Sequence, residues 1–257
     1  MTDRMLTFSL QSGSNGNCIY VEAGDVRLLF DAGISGRQAE ARMARHGREI
    51  RDVTAVILSH DHIDHVRSVG IFQRKYAPPI YATEPTWRVA SRLAGPVQDV
   101  RYFQAGGRIE FGDVVVHTIR TPHDAVDGCA FIVEHEGRRL GILTDLGHPF
   151  AALRKLFGEL DAAYLESNFD PEMLANGPYP PDLQRRIRGP QGHLSNLDAG
   201  ELTRACRSRR LQWVMLSHLS EHNNHPDLAM ETYRRFVGRL FPAGVASRYD
   251  VSEAHVL

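Results

Sequence analysis

The sequence has no long apolar run and no strong excess of charge. No segment approaches membrane-spanning length, and MTDRMLTFSL lacks a basic stretch followed by a sustained apolar core, so neither a membrane partner nor a secretory leader is expected. Thirty basic residues face thirty-one acidic ones, a formal charge of −1, so affinity for a polyanion has to come from local patches. Lysine is scarce: two of the thirty basic residues, Lys75 and Lys155. Cysteine is scarcer than a disulfide framework needs. Cys18, Cys129 and Cys206 lie far apart, without a CxxC pair and in odd number, as suits reduced thiols in a soluble, cytoplasmic protein. Internal repeats and low-complexity linkers are also missing. With 42% hydrophobic and 24% charged residues among 257, the chain is expected to fold as one domain, 1–257.

What is present is strand-rich at first. Residues 5–10, NCIYVEA at 17–23 and VRLLFDAG at 26–33 are short apolar runs between glycine-containing turns, which predicts an antiparallel meander. TAVILSH at 54–60 is almost continuously apolar, as a strand buried on both faces should be, and helical spacing follows from Val66 to Tyr76. Further strands are expected at 79–82, 108–111, 113–120, 129–134 and 139–144. A helix at about 151–158, a strand in DAAYLES, a helix from Ser195 to Arg209 and the strand in LQWVMLSH then alternate. Ser195 and Asp198 have capping-box spacing. A last helix after Pro226 puts Ala229, Thr232, Tyr233, Phe236, Val237 and Leu240 on one face. Segment 170–192, with Pro and Gly at both ends, reads as a loop-rich insertion able to act as a lid.

The thirteen histidines cluster. His60, His62, Asp64 and His65 form HxHxDH directly after a buried strand, where two imidazoles two apart can converge on one cation and the Asp-His pair can serve a second. Asp145 in LTDLG and His218 in MLSHLS each end an apolar strand with a ligand-type residue. A carboxylate can bridge two metals, and the histidine can complete a shell. SGSNGNC at 12–18 has the small residues a phosphate cradle needs, or is a plain hairpin turn. Arg185, Arg186 and Arg188, with Arg204, Arg207, Arg209 and Arg210, supply local positive charge suited to a phosphate backbone, or a solvated face.

In this order the motifs resemble the metallo-β-lactamase superfamily. That resemblance implies an α/β fold, a four-layer αββα sandwich, with a dinuclear site between the sheets. SGSNGNC, TPHDA, TDLG, LESNFD, GHLSN and HLSEHNN resemble its YycJ/WalJ-like subfamily, metal-dependent nucleases linked to 5′→3′ degradation of DNA. The implied function is a DNA exonuclease or phosphodiesterase in DNA repair, using metal-activated water and two divalent ions, Mn²⁺ or Zn²⁺ with Fe allowed. DNA is favoured over RNA as partner. The implied ligands are His60, His62, Asp64, His65, Asp145 and His218, with Asp64 and His193 as proton-transferring or charge-stabilising residues. GHLSN is similar to a motif of the tRNA 3′-processing phosphodiesterases, which places His193 outside the metal shell with Glu166 orienting it. Ser195, Asn196 and Asn223 are expected beside them. Two other readings use the same residues: a small-molecule hydrolase of cyclic phosphodiesters, lactones or thioesters, and a metal-binding protein without catalysis.

TPHDAVDGCAF at 121–131 leaves one choice between neighbours. In many superfamily phosphodiesterases the ligand of this loop stands a fixed interval ahead of a small-aromatic pair, here Ala130-Phe131. Counting back reaches Asp124, so Asp124 is the expected ligand and His123 its substrate-facing or supporting neighbour. A carboxylate there would harden the site and favour Mn²⁺ over Zn²⁺.

Overall fold

Alternation decides where each strand's side chains go. The structure, a computed structural model, describes residues 4–257. Strands β1 (Met5–Gln11), β2 (Cys18–Ala23) and β3 (Val26–Phe30) form the expected antiparallel meander. Helix α1 (Gly36–Ala44), strand β4 (Ala55–Ile57), helices α2 (Ile63–Val66) and α3 (Val69–Tyr76), β5 (Ile80–Ala82), α4 (Glu84–Ala94) and β6 (Val100–Tyr102) follow. The second half runs β7 (Arg108–Phe111), β8 (Val114–Arg120), β9 (Cys129–His135), β10 (Arg138–Leu143), α5 (Ala151–Phe157) and β11 (Ala162–Glu166). It continues through α6 (Pro171–Asn176), α7 (Pro181–Arg188), α8 (Asn196–Cys206), β12 (Trp213–Ser217), α9 (Pro226–Val237) and β13 (Ala243–Val245). Strand β14 (His255–Val256) returns to pair with β1.

Two seven-stranded sheets result, ordered β14-β1-β2-β3-β4-β5-β6 and β13-β12-β11-β10-β9-β8-β7. Successive residues feed successive layers. Leu28 and Phe30, with Ala55 and Ile57, point into the core between the sheets, while Leu29, Val56 and Leu58 pack outward against Met43, Phe72 and Ala90 of the helices. In β11, Ala162 and Tyr164 face the same inter-sheet core, and Ala163 and Leu165 meet Leu153, Leu202 and Tyr233 on the far side. This is the four-layer αββα sandwich. The central strands are apolar throughout because both of their faces are covered.

Several elements differ from the sequence expectation. Helices α1 and α4 carry their own start signals, a Ser35–Gln38 capping box and Thr83 accepting from the Thr86 backbone ahead of a Pro in the first turn. The Val66–Tyr76 helix is two pieces, α2 and α3, because the chain turns at Arg67–Ser68. Segment 170–192 holds α6 and α7, and α6 is capped by the Asp170 carboxylate. The last helix ends at Val237, where Gly238 takes φ 89°, so Leu240 is 99% exposed rather than on the buried face. Among the described residues no helix is long and apolar enough to cross a membrane.

The loops that follow β3, β4, β10, β11 and β12, together with the loop that precedes β9, gather at one edge of the sandwich. Phe131, just past that last loop, is 1% exposed and lies 5.1 Å from Phe30 across the inter-sheet core. Phe131→Ala is expected to cost about 3–5 kcal/mol, read as a lowered urea midpoint. A loss near zero would mean that this layer is not packed as described.

Candidate metal centre

The strand ends set the site. After β4 the chain runs through Ser59 and His60, and His62 becomes the N-cap of α2, which turns Asp64 and His65 back beneath it. Asp145 after β10 and His218 after β12 have φ of 55° and 58°, and Asp31 after β3 has 66°. These are left-handed conformations that non-glycine residues adopt at some cost, and all three fall at the site.

Ligand atoms converge in overlapping groups, one of them Asp145, Glu166, His193 and His218, and two that share no residue: His60, His62 and His123 in one, Asp64, His65 and His218 in the other. The Asp145 carboxylate stands between them. Its Oδ1 is 3.5 Å from His123 Nε2 and 3.4 Å from His218 Nδ1, and its Oδ2 is 3.3 Å from His65 Nε2. Among the described residues, both Asp145 oxygens, His60 Nε2 and Asp124 Oδ1 are buried with no hydrogen-bond partner. An unanswered carboxylate in such a place costs several kcal/mol, so an orphan of this kind calls for a cation. The donor set of imidazoles and carboxylates fits one or two divalent ions.

Each ligand is held from behind. His65 Nδ1–H donates to Asp31 Oδ2 at 2.7 Å, and Ser59 donates to the same carboxylate through its backbone N–H and its hydroxyl. That leaves Ser59 Oγ to accept from His60 Nδ1–H at 2.9 Å, which directs His60 Nε2 inward. His123 Nδ1–H donates to the Gly192 carbonyl at 2.8 Å, and His193 Nδ1–H to Glu166 Oε1 at 2.7 Å. Ser12 Oγ accepts from the His218 backbone N–H, and Asn17 Nδ2 reaches Asp64 Oδ2 at 3.2 Å, so SGSNGNC supports the ligands as well as bordering the cavity with Ser14. Gly33 has to be glycine here. A Cβ on it would lie 1.6 Å from the Asp64 carbonyl.

The electrostatics follow from this crowding. Burial and then the neighbouring imidazoles of His65, His123 and His62 push His60 well below the ordinary histidine value. Burial also disfavours charge on His65, but Asp31, Asp64 and Asp145 override it and hold His65 well above that value. The same contest, won by Asp145, Asp64 and Glu166, raises His218 to about 10. Burial would raise Asp64, Asp145 and Glu166, yet the facing histidines hold all three below the usual carboxylate range. In the metal-free protein, protons on His65 and His218 balance these carboxylates.

Several expected site residues are placed differently. His123, not Asp124, completes the three-histidine group: it is buried, its Nε2 is 3.3 Å from His62 Nδ1, and the Gly192 carbonyl fixes its ring. Asp124 stands outside that group with Oδ2 taken by Arg186 Nε, its Oδ1 3.8 Å from His62 Nε2. The physical reason lies in the 189–192 turn. The Gln191 carbonyl accepts from the Asp124 backbone N–H and the adjacent Gly192 carbonyl takes the His123 ring, so the two side chains leave the loop in different directions. Ser195 spends its hydroxyl on the α8 capping box with Asp198. Asn196 is tied to Ser167 and Asn224, and Asn223 to Ser220; neither lines the cavity. Asp31, Ser59 and Asn17 were not anticipated. The one available signal was the placement of Asp31 in FDAG, at the end of a strand and ahead of a glycine.

Comparison with known proteins comes to the same place. Residues 12–187 match the family described as the metallo-beta-lactamase superfamily. The chain is 35% identical over 222 residues to the exodeoxyribonuclease YycJ of Bacillus anthracis, covering 86% of this chain and 84% of that protein. It is 34% identical over 227 residues to the exodeoxyribonuclease WalJ of Streptococcus pneumoniae, covering 87% and 84%. In fold it resembles the metallo-beta-lactamase fold protein YhfI of Bacillus subtilis, with TM-score 0.75 and 18% identity over 100% of both chains.

Two outcomes are expected. Binding of Mn²⁺ or Zn²⁺ has to displace the proton from His218, whose pKa is about 10 in the metal-free protein. Apparent affinity should therefore climb between pH 7 and 9, by up to about tenfold per pH unit for each proton released. Titration calorimetry in buffers of different ionisation enthalpy reads that release, and a flat profile would remove the protonated His218. By the same linkage, stability of the metal-free protein that comes from this raised pKa is full below about 6.5 and is lost as pH rises toward about 10. The second outcome concerns Gly192, where a Cβ would lie 2.0 Å from the Ile187 carbonyl. Gly192→Ala must shift the turn that holds His123, and metal affinity measured by chelator competition should fall about 10–100-fold.

Proposed function

The chain belongs to the metallo-β-lactamase superfamily, in which it is a metal-dependent hydrolase, and from that premise we propose that it is a two-metal phosphodiesterase acting on DNA from a strand end. The observation that carries the proposal is the His193–Glu166 pair, set at 2.7 Å on the wall of the cavity above the Asp145-centred groups. Hydrolysis of a phosphodiester expels an alkoxide, a poor leaving group that a positioned acid can protonate as the bond to phosphorus breaks. The likeness to two exodeoxyribonucleases over most of the chain supports DNA as the substrate.

In this proposal His60, His62 and His123 hold one ion, Asp64, His65 and His218 the other, and Asp145 lies between both. Bound divalent cations there would supply Lewis acidity for a phosphate's oxygens and lower the pKa of water. The chain's own residues do the rest. Asp64, kept deprotonated by His65 and His218, stays an anionic acceptor for a hydrogen bond from water within the cavity. Glu166 fixes the His193 ring through Nδ1 and leaves Nε2 to protonate the leaving oxygen or to stabilise charge. Five imidazoles among seven ligands remove the argument for Mn²⁺ that an Asp124 ligand carried, so Zn²⁺ and Mn²⁺ suit the set alike.

A substrate panel tests this: 5′-phosphorylated duplex DNA, single-stranded DNA, RNA and bis(p-nitrophenyl)phosphate, each with Mn²⁺ and with Zn²⁺. DNA should be cut with release of nucleotides from an end. Cleavage of the small diester alone would sink the nuclease proposal and leave a small-molecule hydrolase. His193→Ala should keep its metal content and lose about 10²–10⁴-fold in turnover; loss of metal instead would make His193 a ligand.

A further inference from the structure

Segment 170–192 forms a roof over the metal groups, and one of its arginines differs from the others. Leu174 and Ile187 pack with Phe169, with Tyr179 and Leu183 against them, giving α6 and α7 a small core of their own. Tyr179, Leu183, Arg186 and Ile187 line the cavity from above. Arg185 pairs with Asp182, and Arg188 bonds Gln184; neither lines the cavity. Arg186 alone of the three lines the cavity, its side chain 58% exposed. Its Nε donates to Asp124 Oδ2, and among the described residues its Nη1 and Nη2 make no hydrogen bond to protein, so two edges of the guanidinium remain for a ligand. Asp124 is itself fixed, its backbone N–H donating to the Gln191 carbonyl at 3.0 Å.

We propose that Arg186, positioned by Asp124, binds a phosphate of the nucleic acid next to the one being cut, and so makes the enzyme prefer oligonucleotides over small diesters. The proposal rests on the phosphodiesterase reading above. The guanidinium fork matches a phosphate's oxygens, and the ion pair with Asp124 orients that fork before substrate arrives. The cavity of about 200 Å³ is smaller than the roughly 300–1,000 Å³ of pockets that enclose a whole ligand of drug size. It therefore admits one terminal residue of a chain, whose neighbouring phosphate then lies at the mouth where Arg186 stands. Asp124 acts through Arg186 and is a positioning residue.

The experiment compares wild type, Arg186→Gln, Arg186→Lys and Asp124→Asn in the metal-loaded protein. It measures kcat and KM on an oligonucleotide with a 5′-phosphate, on the same strand with a 5′-hydroxyl, and on bis(p-nitrophenyl)phosphate, with bound metal determined for each variant. For Arg186→Gln the ratio of kcat/KM on oligonucleotide to that on the small diester should fall about tenfold or more, carried by KM, as expected for loss of a charge-assisted bond. Arg186→Lys should restore part of it, and Asp124→Asn should lose less in the same direction with metal content intact. A loss confined to the 5′-phosphorylated strand assigns the contact to a terminal phosphate; a loss on both strands assigns it to an internal diester. An unchanged ratio in active protein overturns the role of Arg186 alone. Metal depletion in Asp124→Asn overturns the positioning role by making Asp124 a ligand. A wild type that cuts no diester overturns the parent reading instead.

Discussion

The structure turns on a carboxylate that nothing among the described residues answers with a hydrogen bond. Asp145 is 3% exposed, both its oxygens lack hydrogen-bond donors among the described residues, and it lies within 3.5 Å of His123, His218 and His65. Much of the surrounding architecture serves to keep that arrangement from relaxing. Asp31 and Ser59 hold His65 and His60, the Gly192 carbonyl holds His123, and the left-handed backbone at Asp31, Asp145 and His218 fixes where each strand lets go of its side chain. The preorganisation that a metal-dependent hydrolase needs is therefore written into loop backbone as much as into side chains.

Much of this was legible in the chain, for physical reasons. Strands buried on both faces are apolar without interruption, so AVIL before HxHxDH, ILTD and VMLSH each announce a strand ending at the same edge of a sandwich. Ligands that follow such strands inherit their position from the sheet. What was not legible depends on contacts between distant segments. The choice between His123 and Asp124 is made by a turn at 189–192, and no interval counted along 121–131 can register it. Asp31 and Asn17 support His65 across similar gaps, and an isolated Asp or Asn at a strand end carries no mark of that role. The end of α9 was misjudged for a local reason, since Gly238 stops the helix before Leu240 can join its apolar face.

The roof joins these two kinds of information. As sequence it is a stretch bounded by proline and glycine; as structure it is two short helices over a core of their own, fastened at 189–192 to the loop that bears His123 and Asp124. One connection thus serves both halves of the site: it sets the tautomer of a ligand below and places a guanidinium above.

The spread of the ligands along the chain also has a consequence in time. The three-histidine group draws on residues 60, 62 and 123, whereas the second group waits for His218, which follows β12 and donates its backbone N–H to Ser12 Oγ, 206 residues earlier. During synthesis the early histidines leave the ribosome long before their last partner does. By the order of its own residues, the second group of ligand-type side chains stays incomplete until His218 has emerged.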